Sequence, residues 1–206
     1  MKDALRPRNA SSKTSARTLL AALSVLLLLL TACGGDDESP YQRTESPLDP
    51  SRALAEIRPQ DDGSLLVYTE VVIEAEPEQV WEVLTDFEAM PEWSSTLQGV
   101  SGELEDGGEG VAVYLNEGVA TEFPHVLSWD DGHSFSWSDE IAFAPGIVDD
   151  HRFIVHSTDG DSTLFVQTDQ LTGDNADLPA PLLAELLTGS YSLFNQEFKA
   201  EVERRF

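Results

Sequence analysis

Apolar positions fall into three kinds of pattern along this chain. An almost unbroken apolar run, Leu19 to Leu30, lies near the start. A polar stretch rich in proline follows, and then Leu65, Val67, Thr69, Val71 and Ile73 alternate with Tyr68, Glu70 and Glu74, the period of a half-buried strand. Pro77 next opens a short helix over Glu78 to Leu84, where a missing N–H costs nothing in the first turn. Phe87 to Trp93 predicts a second short helical turn, interrupted around Pro91. Six strand-like segments then follow near 97–104, 110–116, 118–128, 133–139, 147–156 and 162–171. Turn sequences such as Asp106-Gly107-Gly108, Asp130-Asp131-Gly132 and Pro145-Gly146 separate them. Such short connections imply an antiparallel meander.

The last element changes period. Leu182, Leu183, Leu186, Leu187, Ser190, Leu193, Phe194 and Phe198 recur at three- and four-residue steps, predicting a long helix from Pro181 to Arg205 with a wide apolar stripe. The pattern therefore predicts an α+β domain over residues 54–206 with seven antiparallel strands, two short helices after the first strand and one long C-terminal helix.

The early apolar run has a basic start, Lys2, Arg6, Arg8, Lys13 and Arg17, and ends in small residues before the only cysteine. This is the layout of a secretory leader, and Leu30-Thr31-Ala32-Cys33 resembles a bacterial lipobox. The resemblance implies a signal peptide over residues 1–32, cleavage between Ala32 and Cys33, and a diacylglyceryl group on the Cys33 sulfur. An uncleaved membrane helix over Thr18 to Gly35 is the alternative, and it leaves the same topology. Residues 33–53, with Pro40, Pro47 and Pro50 and no apolar period, read as a flexible linker from anchor to domain. The expected location is exported and membrane-held. Gly34 after Cys33 favours the periplasmic face of the outer membrane in a two-membrane cell, and the outer face of the cell membrane otherwise.

Charge narrows the partners. Removing residues 1–32 takes away those five basic residues and Asp3, so 12 Lys+Arg and 38 Asp+Glu become 7 and 37, a net charge of −30. Phosphate backbones need clustered Lys and Arg, so nucleic acid is excluded as a partner. The acidic, lysine-poor balance also suits a salty medium in which ions screen self-repulsion. With its one cysteine assigned to lipid, the domain must hold by packing without a disulfide.

Chemistry-bearing motifs are sparse. Neither Gly99-Val100-Ser101-Gly102 nor Gly189-Ser190-Tyr191-Ser192 completes a nucleophile elbow. His151 and His156 fall on opposite faces of one strand, and no zinc spacing occurs, so no metal, cofactor or catalytic residue is assigned.

The segments Val80-Trp81-Glu82-Val83-Leu84-Thr85-Asp86-Phe87 and Met90-Pro91-Glu92-Trp93 resemble the first helix and following turn of the START-type helix-grip proteins. This is the broad SRPBCC group, which includes polyketide cyclase/dehydrase-like proteins. Pro145-Gly146-Ile147 leading to His151-Arg152-Phe153, and the ending Asn195-Gln196-Glu197-Phe198-Lys199, extend the resemblance from about Leu65 to Phe206. It implies a curved sheet wrapped on the long helix, with a hydrophobic cavity between them. Phe135 and Trp137 share one strand face, as do Ile147, His151, Phe153 and Val155. Together with Trp81 and Trp93 at the short-helix end, and Leu183, Leu187 and Phe194 from the long helix, they are the expected ligand-lining residues.

Three functions fit: an anchored protein that binds or transfers a small hydrophobic molecule such as a lipid, an aromatase/cyclase-like enzyme using His151 to move protons, or an interaction lipoprotein with a filled core. Aromatics at these spacings also occur as plain core.

Overall fold

The computed structural model describes residues 54–116, 118–158 and 161–206. The expected leader over residues 1–32, Cys33 and the expected linker over residues 33–53 lie outside the described residues. Eight strands form one antiparallel sheet: β1 (Leu54–Pro59), β2 (Leu65–Ile73), β3 (Leu97–Gly102), β4 (Glu109–Asn116), β5 (Val119–Asp130), β6 (Ser134–Glu140), β7 (Ile147–Ser157) and β8 (Thr163–Gly173). Their order is β1-β2-β8-β7-β6-β5-β4-β3, so β3 to β8 run as a meander and β2 closes on β8.

The expected seven strands are thus eight. The addition, β1, pairs antiparallel with β2 from Leu54↔Glu70 to Pro59↔Leu65. Its sequence Leu-Ala-Glu-Ile-Arg-Pro has no clean two-residue period and adjoins the proline-rich stretch, so it carries little strand signal. Pro59 is tolerated because β1 is an edge strand.

Helix α1 (Pro77–Thr85) starts at Pro77, and the Gln79 side chain accepts the Glu76 N–H at 2.9 Å, satisfying one orphan donor. It buries Val80, Val83 and Leu84. The second short helix is reduced to one 3₁₀ turn, Met90–Glu92, with Pro91 inside it.

Helix α2 (Ala180–Arg205) lies along β2, with further contacts to β1 and β8. It buries Leu183, Ala184, Tyr191, Phe194, Asn195, Phe198 and Val202. Its buried stripe is narrower than the apolar pattern suggests, since Leu182, Leu186 and Leu193 stay exposed, Leu186 at 58%. No helix among the described residues is long and apolar enough to cross a membrane.

The core has two parts. One gathers Ile73, Val80, Met90, Phe135, Trp137, Phe153, Phe165, Phe194 and Phe198; the other gathers Leu65, Val67, Ile147, Leu171, Leu183, Ala184 and Tyr191. Between them lie buried polar groups: Thr69, His151, Gln167, Asp169 and Asn195.

Candidate functional site

The strand registers arrange the covered face of the sheet in cross-strand rows. Thr69 pairs Gln167, Gln167 pairs Phe153 and Phe153 pairs Phe135, giving a row with an aromatic end. Two residues along, Val67, Asp169, His151, Trp137 and Leu127 form the next row. Because side chains alternate, these rows present the same face. Further along that face Asp149 pairs Asp139, and the Asp139 carboxylate meets His125 Nδ1 at 2.7 Å. The face therefore grades from aromatic to polar over three steps.

Two residues one turn apart on α2 dock onto this grading. Asn195 accepts from Gln167 Nε2 at 2.6 Å and donates to Thr69 Oγ1 at 3.1 Å. Tyr191 lies flat on His151, with ring centroids 4.3 Å apart, and donates its hydroxyl to Asp169 Oδ2 at 2.7 Å. Since Gln167 uses its amide N–H groups on Asn195 and on the Tyr191 carbonyl, its oxygen must accept from His151 Nε2 at 3.1 Å. His151 therefore carries a proton on Nε2. Burial pushes its pKa down to about 3.

The carboxyl groups shift the other way. Burial, reinforced by the Asp149 charge, raises Asp169 to about 8 despite the Tyr191 hydrogen bond. Burial also raises the half-buried Asp149 to about 6, with the Asp139 charge adding to it. Burial holds the phenols of Tyr114 and Tyr191 well above their usual range, and the charges of these carboxyls add to it. Asp169 Oδ1, fully buried, has no hydrogen-bond partner among the described residues. His125 stacks on Trp137 at 4.6 Å on the same side. This assembly offers proton donors and acceptors near neutral pH. No group of three or more His, Cys, Asp or Glu among the described residues is placed to hold a metal ion.

Of the residues expected to line a site, six fall into one aromatic assembly. Trp81 meets Phe135 edge-on at 6.3 Å, Phe135 stacks on Phe153 at 4.6 Å, and Trp137 tilts against Phe153 at 5.5 Å. Phe194 joins Phe153 at 6.0 Å and Trp93 at 5.4 Å. Trp81 and Trp93 keep part of their surface accessible, and the Trp93 indole N–H is buried without a partner among the described residues. Leu183 and Leu187 belong to the other half of the core, and His151 sits at the junction.

Tyr114, Asp149, Asp169, Gln167, Tyr191 and Asn195 were absent from the expected set. Asp149 shares the odd parity of Ile147, His151 and Phe153, and Tyr191 and Asn195 lie on the helix stripe, so a signal existed. Polar residues on an apolar face were that signal.

Residues 64–203 match the family described as polyketide cyclase / dehydrase and lipid transport. The chain belongs to this family. Comparison with curated proteins gives no match. Among solved structures, a START superfamily protein from Mycobacterium smegmatis aligns with a TM-score of 0.55 at 17% identity, over 68% of this chain and 99% of that one. The Zhui aromatase/cyclase from Streptomyces sp. R1128 aligns with a TM-score of 0.55 at 16% identity, over 69% and 95%. A protein from Thermus thermophilus gives 0.53 at 16%, over 68% and 98%. At these identities the likeness establishes the fold: a curved antiparallel sheet with a long C-terminal helix.

Proposed function

We propose that this family member is an exported lipoprotein, tethered through a lipid on Cys33, whose helix-grip domain binds or transfers a small hydrophobic ligand such as a lipid. The observation that carries the binding reading is the gradient on the covered sheet face. An aromatic end formed by Phe135, Phe153 and Phe194 passes into a polar row at Asp169 and Tyr191, matching a molecule with an apolar body and one polar end. Five aromatics packed on this core, Trp81, Phe87, Trp93, Tyr114 and Trp129, keep accessible surface, as side chains bordering an entry would.

Two measurements test it. Mass spectrometry of the purified protein should find a co-purified lipid-like molecule, and a neutral fluorescent alkyl probe should bind saturably at one site. Absence of both sinks the binding reading. The anchor is tested separately: a Cys33→Ala chain should lose lipid labelling and leave the membrane fraction, and unchanged labelling overturns the lipobox.

A second reading, an aromatase/cyclase-like enzyme, draws support from Asp149 and Asp169, whose pKa values near 6 and 8 suit proton transfer at neutral pH. It requires turnover of a polyketone substrate that an Asp169→Asn variant abolishes.

A further inference from the structure

The carboxyl at Asp169 is the group in this fold whose environment is least complete. Its side chain is fully buried, one oxygen takes the Tyr191 hydroxyl, and the other has no partner among the described residues. A buried carboxyl ordinarily has a cation beside it. Among the described residues, the Lys and Arg side chains are committed elsewhere. Arg58 pairs with Glu56, Arg152 with Asp150, and Lys199 with Glu203 and the Val72 carbonyl. Arg204 and Arg205 both hold Glu201, and Arg205 also reaches Asp86. These are all the Lys and Arg side chains among the described residues.

We propose that the site takes an amphiphile whose polar end is a cationic amine, received by Asp169 and Asp149 beside Tyr191. This rests on the binding reading above and names its ligand class. An ammonium supplies an N–H to the free Asp169 oxygen and the positive charge that the surrounding residues lack. A hydroxyl head could satisfy the free oxygen but would leave Asp149 uncompensated. A carboxylate head would meet Asp149 and Asp139, which pair across adjoining strands on this face. His151 adds no positive charge, because burial keeps it neutral. With Asp169 protonated in the empty site, an arriving ammonium displaces that proton to solvent and leaves the carboxylate as its counter-ion.

The test uses the full chain and isothermal titration with decylamine, decanol and decanoate below their micelle-forming concentrations. The titrations run in about 0.5 M NaCl, so that attraction to the acidic surface is screened. Decylamine should bind one to one, about tenfold tighter than decanol, with decanoate weakest. An Asp169→Asn variant should lose that tenfold advantage, so that decylamine and decanol bind with comparable affinity. Asp149→Asn, at a half-buried position, should weaken decylamine in the same direction and serves if Asp169→Asn does not fold. If decanol or decanoate binds as tightly as decylamine, or if the folded variants weaken all three ligands alike, the amine assignment fails while the binding reading stands. If none of the three binds saturably, both fail.

Discussion

Tyr191 holds two neighbours at once: its ring lies on His151 at 4.3 Å and its hydroxyl donates to Asp169 at 2.7 Å. One helical side chain therefore packs against the buried imidazole and donates a hydrogen bond to a buried carboxyl. The pair His151↔Asp169 is itself a cross-strand pair of β7 and β8, so α2, β7 and β8 meet at this point.

Tyr191→Phe keeps the ring and deletes the hydroxyl. It removes the hydroxyl's bond to Asp169 Oδ2, so stability should fall by about 1–3 kcal/mol, the cost of a buried polar group that loses its bond. Urea unfolding measures it. The far-ultraviolet circular dichroism spectrum should not change, and an unaltered urea midpoint would mean that Asp169 is satisfied another way.

Stability should also fall as pH rises through the neutral range. Asp169 is raised from an ordinary value of 3.8 to about 8, so the folded state keeps a proton that the unfolded state has lost. Its contribution is complete below about 3.8 and disappears as pH passes 8. Asp149 acts in the same direction up to about 6. His151 opposes both: lowered from 6.5 to about 3, it makes folding more favourable as pH rises through that interval and is silent above it. Between pH 6.5 and 8 Asp169 is the one of these three still titrating, and the loss should be about 1–2 kcal/mol. Denaturant titrations at the two pH values should show that loss in the parent and little of it in Asp169→Asn; equal losses in both would contradict the assignment.

Much of this architecture is readable before folding. The six meander strands, the helix opened by Pro77 and the long C-terminal helix follow from period and turn residues, because local sequence repeats the face that burial selects. The Phe135 and Trp137 alternation places aromatics on the covered face for the same reason. Strand β1 is less legible, since an edge strand needs only one apolar flank and hides beside a proline-rich stretch. The polar row is the larger omission. Gln167 and Asp169 are separated by one residue on β8, and period alone does not say whether such polar residues face water or core. What decides it is pairing with Tyr191 and Asn195, more than twenty residues away in a helix whose rotation is set by packing.

Salt should stabilise the chain. Residues 33–206 carry 37 acidic and 7 basic residues, so repulsion among unpaired carboxylates outweighs the few ion pairs that salt weakens, such as Arg152 with Asp150. Raising ionic strength to about 1 M contracts the Debye length to ~3 Å and should raise the melting temperature. A flat or falling melting temperature would show that these carboxylates are compensated locally.

The end of β8 supplies the sharpest steric prediction. Gly173 has φ +99°, and a Cβ there would come within 2.1 Å of the Gly146 carbonyl oxygen. Gly146, also at positive φ (+95°), sits in the β6–β7 connection that Asn175 ties down through its hydrogen bond to the Pro145 carbonyl. Backbone meets backbone here, so no side-chain rotation can relieve the contact. Gly63, in the β1–β2 turn, has a similar φ of +86° with nothing within 4 Å of where a Cβ would stand, and so isolates the conformational part of the cost. Gly63→Ala should cost about 1–2 kcal/mol from backbone strain, and Gly173→Ala should cost about 2 kcal/mol more because two segments must part. Since Asp174, next in sequence, accepts the Ala180 N–H at the start of α2, the larger loss should be accompanied by faster amide exchange in the first turn of that helix. Equal losses for the two alanines would mean that the β6–β7 connection moves aside at no cost.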